Sequence, residues 1–352
     1  MSQATPTAGV RTPAAAVEQP LWQKVVLSEY LVLALTVLYI VLLAPFVPEL
    51  LTLATASDVL ASLMPLLVIA IGQTFVLIVA GIDLSAVSVL AFASVLGAAV
   101  MTGDGGAISV ANPALSIPLG ILMFVAVGSA VGALNGACTT RFNMPPFIVT
   151  VTTMMFFSGA AIWFTSLYAE AGSSIGNLPR LFNLIGQGKI ALGGFDLPVS
   201  IFVALAVGLV AHVVLSNTLY GRWLFAIGLN PRAAAVSGVP VRRVVFWAYV
   251  ISGACAGLAA ILYTGRLETG SPVLGQRILL DVVGAAVIGG VSLFGGKGKI
   301  IWTLYGALFL TVVDKGLQLL GLSLASVFAI KGAVILAAAV IDAQRQRLVT
   351  RS

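Results

Sequence analysis

The sequence predicts an all-α membrane protein, a polytopic transmembrane bundle of about ten helices with both ends of the chain in the cytoplasm. Three observations predict this class. The composition is 60% hydrophobic and only 9% charged, apolar segments of membrane-spanning length recur along the chain, and basic residues concentrate in alternate loops. Soluble domains usually carry about 25% charged residues. Such a deficit of charge means that most of the surface faces lipid rather than water.

The predicted spans follow from segment length, because a helix needs about 20 mostly apolar residues to cross the hydrocarbon core. The predicted spans are 28–47, 58–80, 83–102, 114–137, 146–168, 197–217, 244–264, 279–294, 300–320 and 324–342. The brief break at Gly81–Asp83 and the shortness of the eighth segment indicate interrupted helices. Interrupted helices often mark a transport pathway, because irregular backbone is tolerated in a membrane only where protein or water satisfies it.

The basic residues predict the orientation, because positively charged loops stay in the cytoplasm. With the N-terminus inside, twelve of the 18 Lys and Arg residues lie in cytoplasmic segments and four in external ones, while Lys315 and Lys331 lie within spans. We therefore predict a disordered cytoplasmic tail at 1–25, a transmembrane domain at 26–342 and a cytoplasmic tail at 343–352. The net charge of +6 then reflects topology, and we expect no nucleic acid among the partners.

No pattern typical of an enzyme occurs. The segment Gly295–Ile300 (GGKGKI) lacks the leading glycine and the Ser or Thr of a Walker motif, so we interpret it as a tight cytoplasmic turn. His212, the single histidine, lies in an apolar segment, and Cys138 and Cys255 show no metal-ligand spacing. We expect no catalytic residue, metal or cofactor in this chain. If ATP drives the protein, another chain must bind it.

Polar residues within the predicted spans form a candidate translocation pathway. Small and hydroxylated residues also let helices pack closely, so each of them has a structural interpretation as well. Together they describe a route with little fixed charge, which suits a neutral, hydroxyl-rich solute such as a sugar. The candidate pathway residues are the polar Gln73, Thr74, Asp83, Ser85, Asn135 and Thr150, together with the aromatic Phe147.

Ionisable residues also occur in the last two predicted spans, where charge is costly and usually functional. These spans form a hairpin that turns near 321–323; Asp314 lies seven residues before the turn and Lys331 eight after it. At about 1.5 Å per residue, both sit roughly 10–12 Å from the turn. The matching depth predicts a structural ion pair of Lys331 with Asp314 or its neighbour, and a coupling-ion site is the alternative.

Several segments, in order and over about residues 60–342, resemble the ribose/xylose-type family of ABC transporter permeases. The similar segments are Gly72–Thr74 (GQT), Ala80–Ser85 (AGIDLS), Gly132–Gly136 (GALNG), Met144–Thr150 (MPPFIVT), Gly221–Arg222 leading to Ala226–Asn230 (AIGLN), Ala234–Val239 (AAVSGV), Leu280–Asp281 with Ile288–Gly290, and Ser292–Gly298 (SLFGGKG). One departure is Ala80, which stands where the family usually has a glycine.

The resemblance implies a binding-protein-dependent importer in the cell inner membrane. Two permease subunits, identical or homologous, would pair with two cytoplasmic ATPases that use the ATP, and an external sugar-binding protein would deliver a monosaccharide. The cytoplasmic segment 218–243 would then couple the permease to the ATPase, and the Gly- and Asn-rich external loop 169–196 would contact the binding protein. The coupling residues implied are Gly221, Arg222, Gly228, Asn230, Ala234 and Gly238.

Two alternatives remain open from the sequence. An ion-coupled secondary transporter needs a titratable centre near the midplane of the membrane, for which Asp83 and Asp314 are the candidates. Related ABC permeases also carry other small solutes, such as amino acids. A charged substrate would call for a fixed countercharge, and the candidate pathway segments contain only Asp83 and Arg141.

Overall fold

The computed structural model of the chain describes residues 30–103, 108–168, 170 and 172–349, with side chains as far as residue 340. The predicted tail at 1–25 therefore lies outside the described residues. Within them, the helices are α1 (Leu31–Leu43), α2 (Leu53–Ile78), α3 (Ala86–Met101), α4 (Pro113–Arg141), α5 (Pro146–Thr165), α6 (Arg180–Gln187), α7 (Ser200–Asn217), α8 (Leu219–Leu229), α9 (Pro231–Val236), α10 (Val241–Leu267), α11 (Leu279–Gly289), α12 (Ile300–Leu319) and α13 (Leu324–Val349).

The all-α class is confirmed, and each of the ten predicted spans contains one helix. Among the described residues, six helices are long and apolar enough to cross a membrane, namely α2, α4, α5, α7, α10 and α12. The 16 residues of α3 and the 11 residues of α11 cover about 24 and 16 Å, less than the roughly 30 Å of a hydrocarbon core. The interruptions predicted after the second span and within the eighth are thus present, and α13 continues to Val349 into the predicted tail.

Helix α2 is the centre of the bundle. Its most apolar window is 94% buried, whereas the corresponding windows of α5 and α7 are 17% and 22% buried. The sequence explains the difference, since the second half of α2 is apolar apart from Gln73 and Thr74 and can be surrounded by α7, α10, α11 and α12. The peripheral helices expose large side chains such as Phe156 and Trp163, as expected for lipid contact.

Helices α4 and α10 approach each other through glycines. Gly128, Gly132 and Gly136 recur at every fourth position of α4, and Gly253 and Gly257 follow the same spacing on α10. A Cβ atom at Gly128 would overlap the carbonyl oxygen of Gly253. Small residues at this spacing let membrane helices pack with their backbones in contact.

The segment predicted as an external loop is largely ordered. It contains α6 and a two-stranded antiparallel hairpin, β1 (Lys189–Leu192) and β2 (Phe195–Pro198), in which Lys189 pairs with Pro198. We call residues 180–198 the cap. Phe182 of the cap is fully buried and stacks on Phe124 of α4, with ring centroids 5.9 Å apart.

Two further contacts hold the cap on the bundle. The Ser57 hydroxyl, in the first turns of α2, donates to the carbonyl oxygen of Asp196 at 2.5 Å. Gly186 lies so close to the C-terminal turn of α10 that a Cβ atom there would overlap its backbone. The cap therefore touches both α2 and α10.

Candidate functional site: the interrupted helix and the coupling segment

The break after α2 is a buried, irregular segment centred on Asp83. The carboxylate of Asp83 is 2% exposed. Its Oδ1 accepts hydrogen bonds from the backbone N–H of Ser85 at 3.0 Å and from the Ser85 hydroxyl at 2.6 Å, and its Oδ2 accepts from the Ser252 hydroxyl of α10 at 2.8 Å. These bonds stabilise a carboxylate that would otherwise be very costly in the interior.

Three more polar side chains from different helices complete this network. Asn135 Nδ2 of α4 donates to Ser85 Oγ at 2.7 Å, and Thr150 Oγ1 of α5 donates to the carbonyl oxygen of Ile82 at 3.0 Å. The Gln73 amide of α2 pairs with the backbone N–H and carbonyl of Asp83, at 3.2 and 3.0 Å, when oriented to satisfy both. The backbone of the break is therefore satisfied by side chains, as a membrane interior requires.

Five of the seven candidate pathway residues thus come together, and two do not. Thr74 faces α12, where its hydroxyl lies 2.7 Å from that of Thr303. Phe147 is 60% exposed at the start of α5, away from the network. The five clustered residues are Gln73, Asp83, Ser85, Asn135 and Thr150, all at most 2% exposed.

These groups bond one another and the backbone of the irregular segment, so they hold that segment in place. A mostly apolar cavity of about 170 Å³ lies nearby between α3 and α5, and its walls include the polar residues Ser88, Ser158 and Gln276. Ser158, Gln276 and Ser252 lie outside the sequence motifs, so the sequence analysis did not identify them.

The coupling segment predicted at 218–243 forms two short helices, α8 and α9, joined at Asn230. The Asn230 Oδ1 accepts hydrogen bonds from the N–H groups of Arg232 and Ala233, both at 3.0 Å, so Asn230 is the N-cap of α9. Val236 and Leu229 are 91% and 77% exposed. The segment therefore presents apolar side chains on a short, capped helical turn outside the spanning helices.

Four of the other implied coupling residues divide between buried and exposed positions. Gly221 and Ala234 are buried, Arg222 and Gly238 are not, and Gly238 has a left-handed backbone with φ +83°. The hydroxyl of the half-buried Tyr220 donates to the Val244 carbonyl of α10 at 3.1 Å. Burial raises the pKa of Tyr220 above its ordinary value, so the hydroxyl remains protonated as a donor.

Gly228 joins the coupling segment to the interrupted helix. A Cβ atom at Gly228 would overlap the carbonyl oxygen of Ile78, the last residue of α2. The same carbonyl accepts a hydrogen bond from the N–H of Gly296 at 2.9 Å. The GGKGKI segment is therefore a turn between α11 and α12, as predicted, and it packs at the junction of α2 with α8.

The strained residue of this junction is Ala80. It adopts φ +59°, a left-handed conformation that favours glycine. Its Cβ faces the turn at Gly295, where an added Cβ would lie 3.0 Å away. This conformation explains physically why a glycine suits position 80.

A second charged cluster lies near the opposite end of the bundle. Lys331 Nζ of α13 lies 2.6 Å from Asp281 Oδ2 of α11 and 3.2 Å from Asp314 Oδ1 of α12. The pair predicted from matching depth is in contact, but Asp281 is the nearer and more deeply buried partner. Sequence reasoning treated Asp281 only as the start of a span; comparing its depth with that of Lys331 would have singled it out.

The comparisons with known proteins agree with this architecture. The family described as "Branched-chain amino acid transport system / permease component" matches residues 55–339. The chain belongs to this permease family. This permease is 35% identical to the galactose/methyl galactoside import permease of Haemophilus influenzae, over 84% of this chain and 88% of that protein.

Two ribose import permeases are similarly related. The permease is 34% identical to that of Bacillus subtilis, over 79% of this chain and 81% of the relative. It is 32% identical to the ribose import permease of Escherichia coli strain K12, over 89% of this chain and 93% of the relative. No solved structure matches the chain. The protein is thus a multi-pass membrane permease, and its relatives are transport components rather than enzymes.

Proposed function

We propose that this permease is the membrane-spanning subunit of a binding-protein-dependent ABC importer that moves a monosaccharide across the cell inner membrane. The observation that carries the proposal is the Gly228 junction, which joins a surface helix pair to the break that contains Asp83. An importer needs such a junction to transmit conformational changes of a cytoplasmic ATPase to the helices inside the membrane. The sugar relatives supply the substrate class.

A separate ATPase chain is the proposed partner of α8 and α9. The exposed Leu229 and Val236 suit burial in an apolar groove, and Arg222 and Arg232 suit an acidic rim. A second permease subunit would complete the membrane part, and a soluble binding protein would dock on the external side. ATP would be bound and hydrolysed by the partner, and this chain would carry no cofactor.

The alternatives are less well supported. An ion-coupled transporter needs a carboxylate that can exchange its ligand, whereas both oxygens of Asp83 already accept hydrogen bonds from protein groups. An amino-acid permease would need fixed charges to meet the ammonium and carboxylate groups of its substrate. The network at the break offers one buried acid and no base.

The test combines purification and uptake. We would co-express the permease with its ATPase and binding protein, purify the assembly, and measure ATP-driven uptake of radiolabelled D-ribose and D-galactose into proteoliposomes. Val236→Glu is expected to reduce recovery of the ATPase and uptake at least tenfold, because it places a charge in the docked surface. Leu192→Glu, at a residue of β1 in the cap that is 54% exposed, is the control and should leave ATPase recovery unchanged.

Two results would contradict the proposal. Undiminished ATPase recovery with Val236→Glu would show that α8 and α9 do not form the docking surface. An assembled wild-type transporter that hydrolyses ATP but takes up neither sugar would remove the assignment of a monosaccharide substrate.

A further inference from the structure

A polar cavity of about 190 Å³ lies among α2, α10, α11, α12 and α13, away from the Asp83 network. By the predicted orientation, it lies in the external half of the bundle. Its hydrogen-bonding wall consists of Ser62, Tyr263, Arg266, Asp281, Asp314 and Lys331. Because the Asp83 network uses none of these residues, the cavity is a separate feature of the permease.

The formal charges of the cavity wall cancel. Asp281 and Asp314 contribute two negative charges, and Arg266 and Lys331 contribute two positive charges. Lys331 lies between the two carboxylates, at 2.6 and 3.2 Å. A site built for a cation or an anion would carry an excess of the opposite charge. The balance therefore favours a neutral ligand.

The wall also has unused hydrogen-bonding capacity. Among the residues that the structure describes, neither the Tyr263 hydroxyl nor Asp281 Oδ1 has a protein hydrogen-bond partner. Arg266 donates only from Nη1, to Ser62 Oγ at 3.0 Å, although a guanidinium has five donors. Polar groups in protein interiors are normally satisfied. These groups therefore suit a solute that both donates and accepts hydrogen bonds.

The remaining wall is apolar, with Leu66, Ile278 and Leu310 and the ring of Tyr263. A monosaccharide has the matching character, since its hydroxyl groups surround a ring whose faces carry C–H groups. At about 30 Å³ per water, the cavity holds roughly six waters, comparable to one monosaccharide ring and too little for a disaccharide.

We propose that this cavity binds one neutral, hydroxyl-bearing solute of monosaccharide size, as a station on the external side of the transport route. The inference rests on the proposed function, because it names a binding site for the solute that the importer moves. The mixture of paired charges and free donors would hold such a solute by several hydrogen bonds without a fixed countercharge. Release toward the Asp83 break would then require no neutralisation of charge.

Thiol protection tests this site in the complete transporter. Thr311→Cys places a thiol on the cavity wall. Thr311 is 7% exposed. Its hydroxyl donates only to the Ala307 carbonyl of the same helix, at 2.8 Å, so the substitution breaks no contact between helices. Labelling by methyl methanethiosulfonate would be measured with D-ribose, D-galactose or sucrose at millimolar concentrations. The background from Cys138 and Cys255 is measured in the parent transporter, and Ser158→Cys, in the other cavity, is the control position.

We expect D-ribose or D-galactose to slow labelling of Thr311→Cys at least threefold, and sucrose and the Ser158→Cys position to show no effect. Adding Tyr263→Phe should remove the protection without changing labelling in the absence of sugar. Tyr305→Phe, which removes a hydroxyl from α12 outside this cavity, should retain the protection.

The outcomes separate this inference from the proposed function. If the transporter imports one of the sugars but Thr311→Cys is unlabelled, or is labelled at the same rate with and without that sugar, the cavity is not a solute site. Equal protection at Ser158→Cys would also overturn the assignment, since the effect would then be global. If the energised transporter imports neither sugar, the proposed substrate class fails, and this inference fails with it.

Discussion

Replacement of Lys331 by methionine tests the charged cluster of α11, α12 and α13. The Lys331 and Asp281 side chains are only 8% and 9% exposed, and their charged atoms are 2.6 Å apart. Removing the ammonium leaves the Asp281 carboxylate buried without its cation, and breaking a buried pair in this way usually costs about 3–5 kcal/mol. We expect the free energy of unfolding of Lys331→Met to fall by roughly that amount.

The chain offers a matched control for this change. Lys315 is the next charged residue after Asp314, and it pairs with Asp58 at 3.2 Å, but these two side chains are 26% and 48% exposed. Exposed pairs contribute about 0–1 kcal/mol, so Lys315→Met should be nearly neutral.

Unfolding of the detergent-purified permease can be followed with a thiol-reactive fluorogenic dye, because Cys255 is 6% exposed and becomes reactive when the bundle opens. We expect a clear drop in the midpoint temperature for Lys331→Met and little change for Lys315→Met. The double variant Lys331→Met/Asp281→Asn should recover part of the loss, since it removes the unpaired charge. Equal midpoints for the two single variants, or no recovery in the double variant, would refute the reasoning.

The remaining predictions concern the break and the glycine interface, each measured by the same thermal assay. Ala80→Gly should stabilise the permease by about 0.5–1 kcal/mol, because the φ of +59° costs alanine more than glycine; a lower midpoint would contradict this. Ser252→Ala should cost about 1–3 kcal/mol by leaving Asp83 Oδ2 without its donor, and a neutral effect would mean that water replaces the serine. Gly132→Ala should cost about 1–3 kcal/mol because the new methyl group overlaps the backbone of α10, whereas Gly159→Ala, which meets open space, should not destabilise.

Apolar length and basic asymmetry were sufficient to predict the class and the ten helical segments. Both signals are local, so they can be read along one chain. The short α3 and α11 were also predictable, because a polar, glycine-containing break and a short apolar run are local features too. The GxxxG-type spacing of Gly128 and Gly132 is also a local feature, so the close helix packing there could have been predicted from the sequence.

The partners within each site were not predictable in the same way. Ser252 lies 169 residues from Asp83, and its role depends on how α10 packs against the break. Phe147 belongs to a motif that meets the network only through Thr150, three residues later on the helix. Gly228 was implied only as a residue of the coupling segment, and its close packing against Ile78 could not be read from the sequence. In each case long-range packing decides which face of a helix carries the contact.

The cap links the two ends of the molecule through the bundle. It bonds the first turns of α2 through Ser57 and packs against the last turn of α10 through Gly186. The same two helices also hold the break. Ile78, at the other end of α2, accepts a hydrogen bond from the turn at Gly296, and Ser252, along α10, donates to Asp83. In the assembly we propose, a binding protein on the cap and an ATPase on α8 would act on the same two helices, α2 and α10, from opposite sides of the membrane.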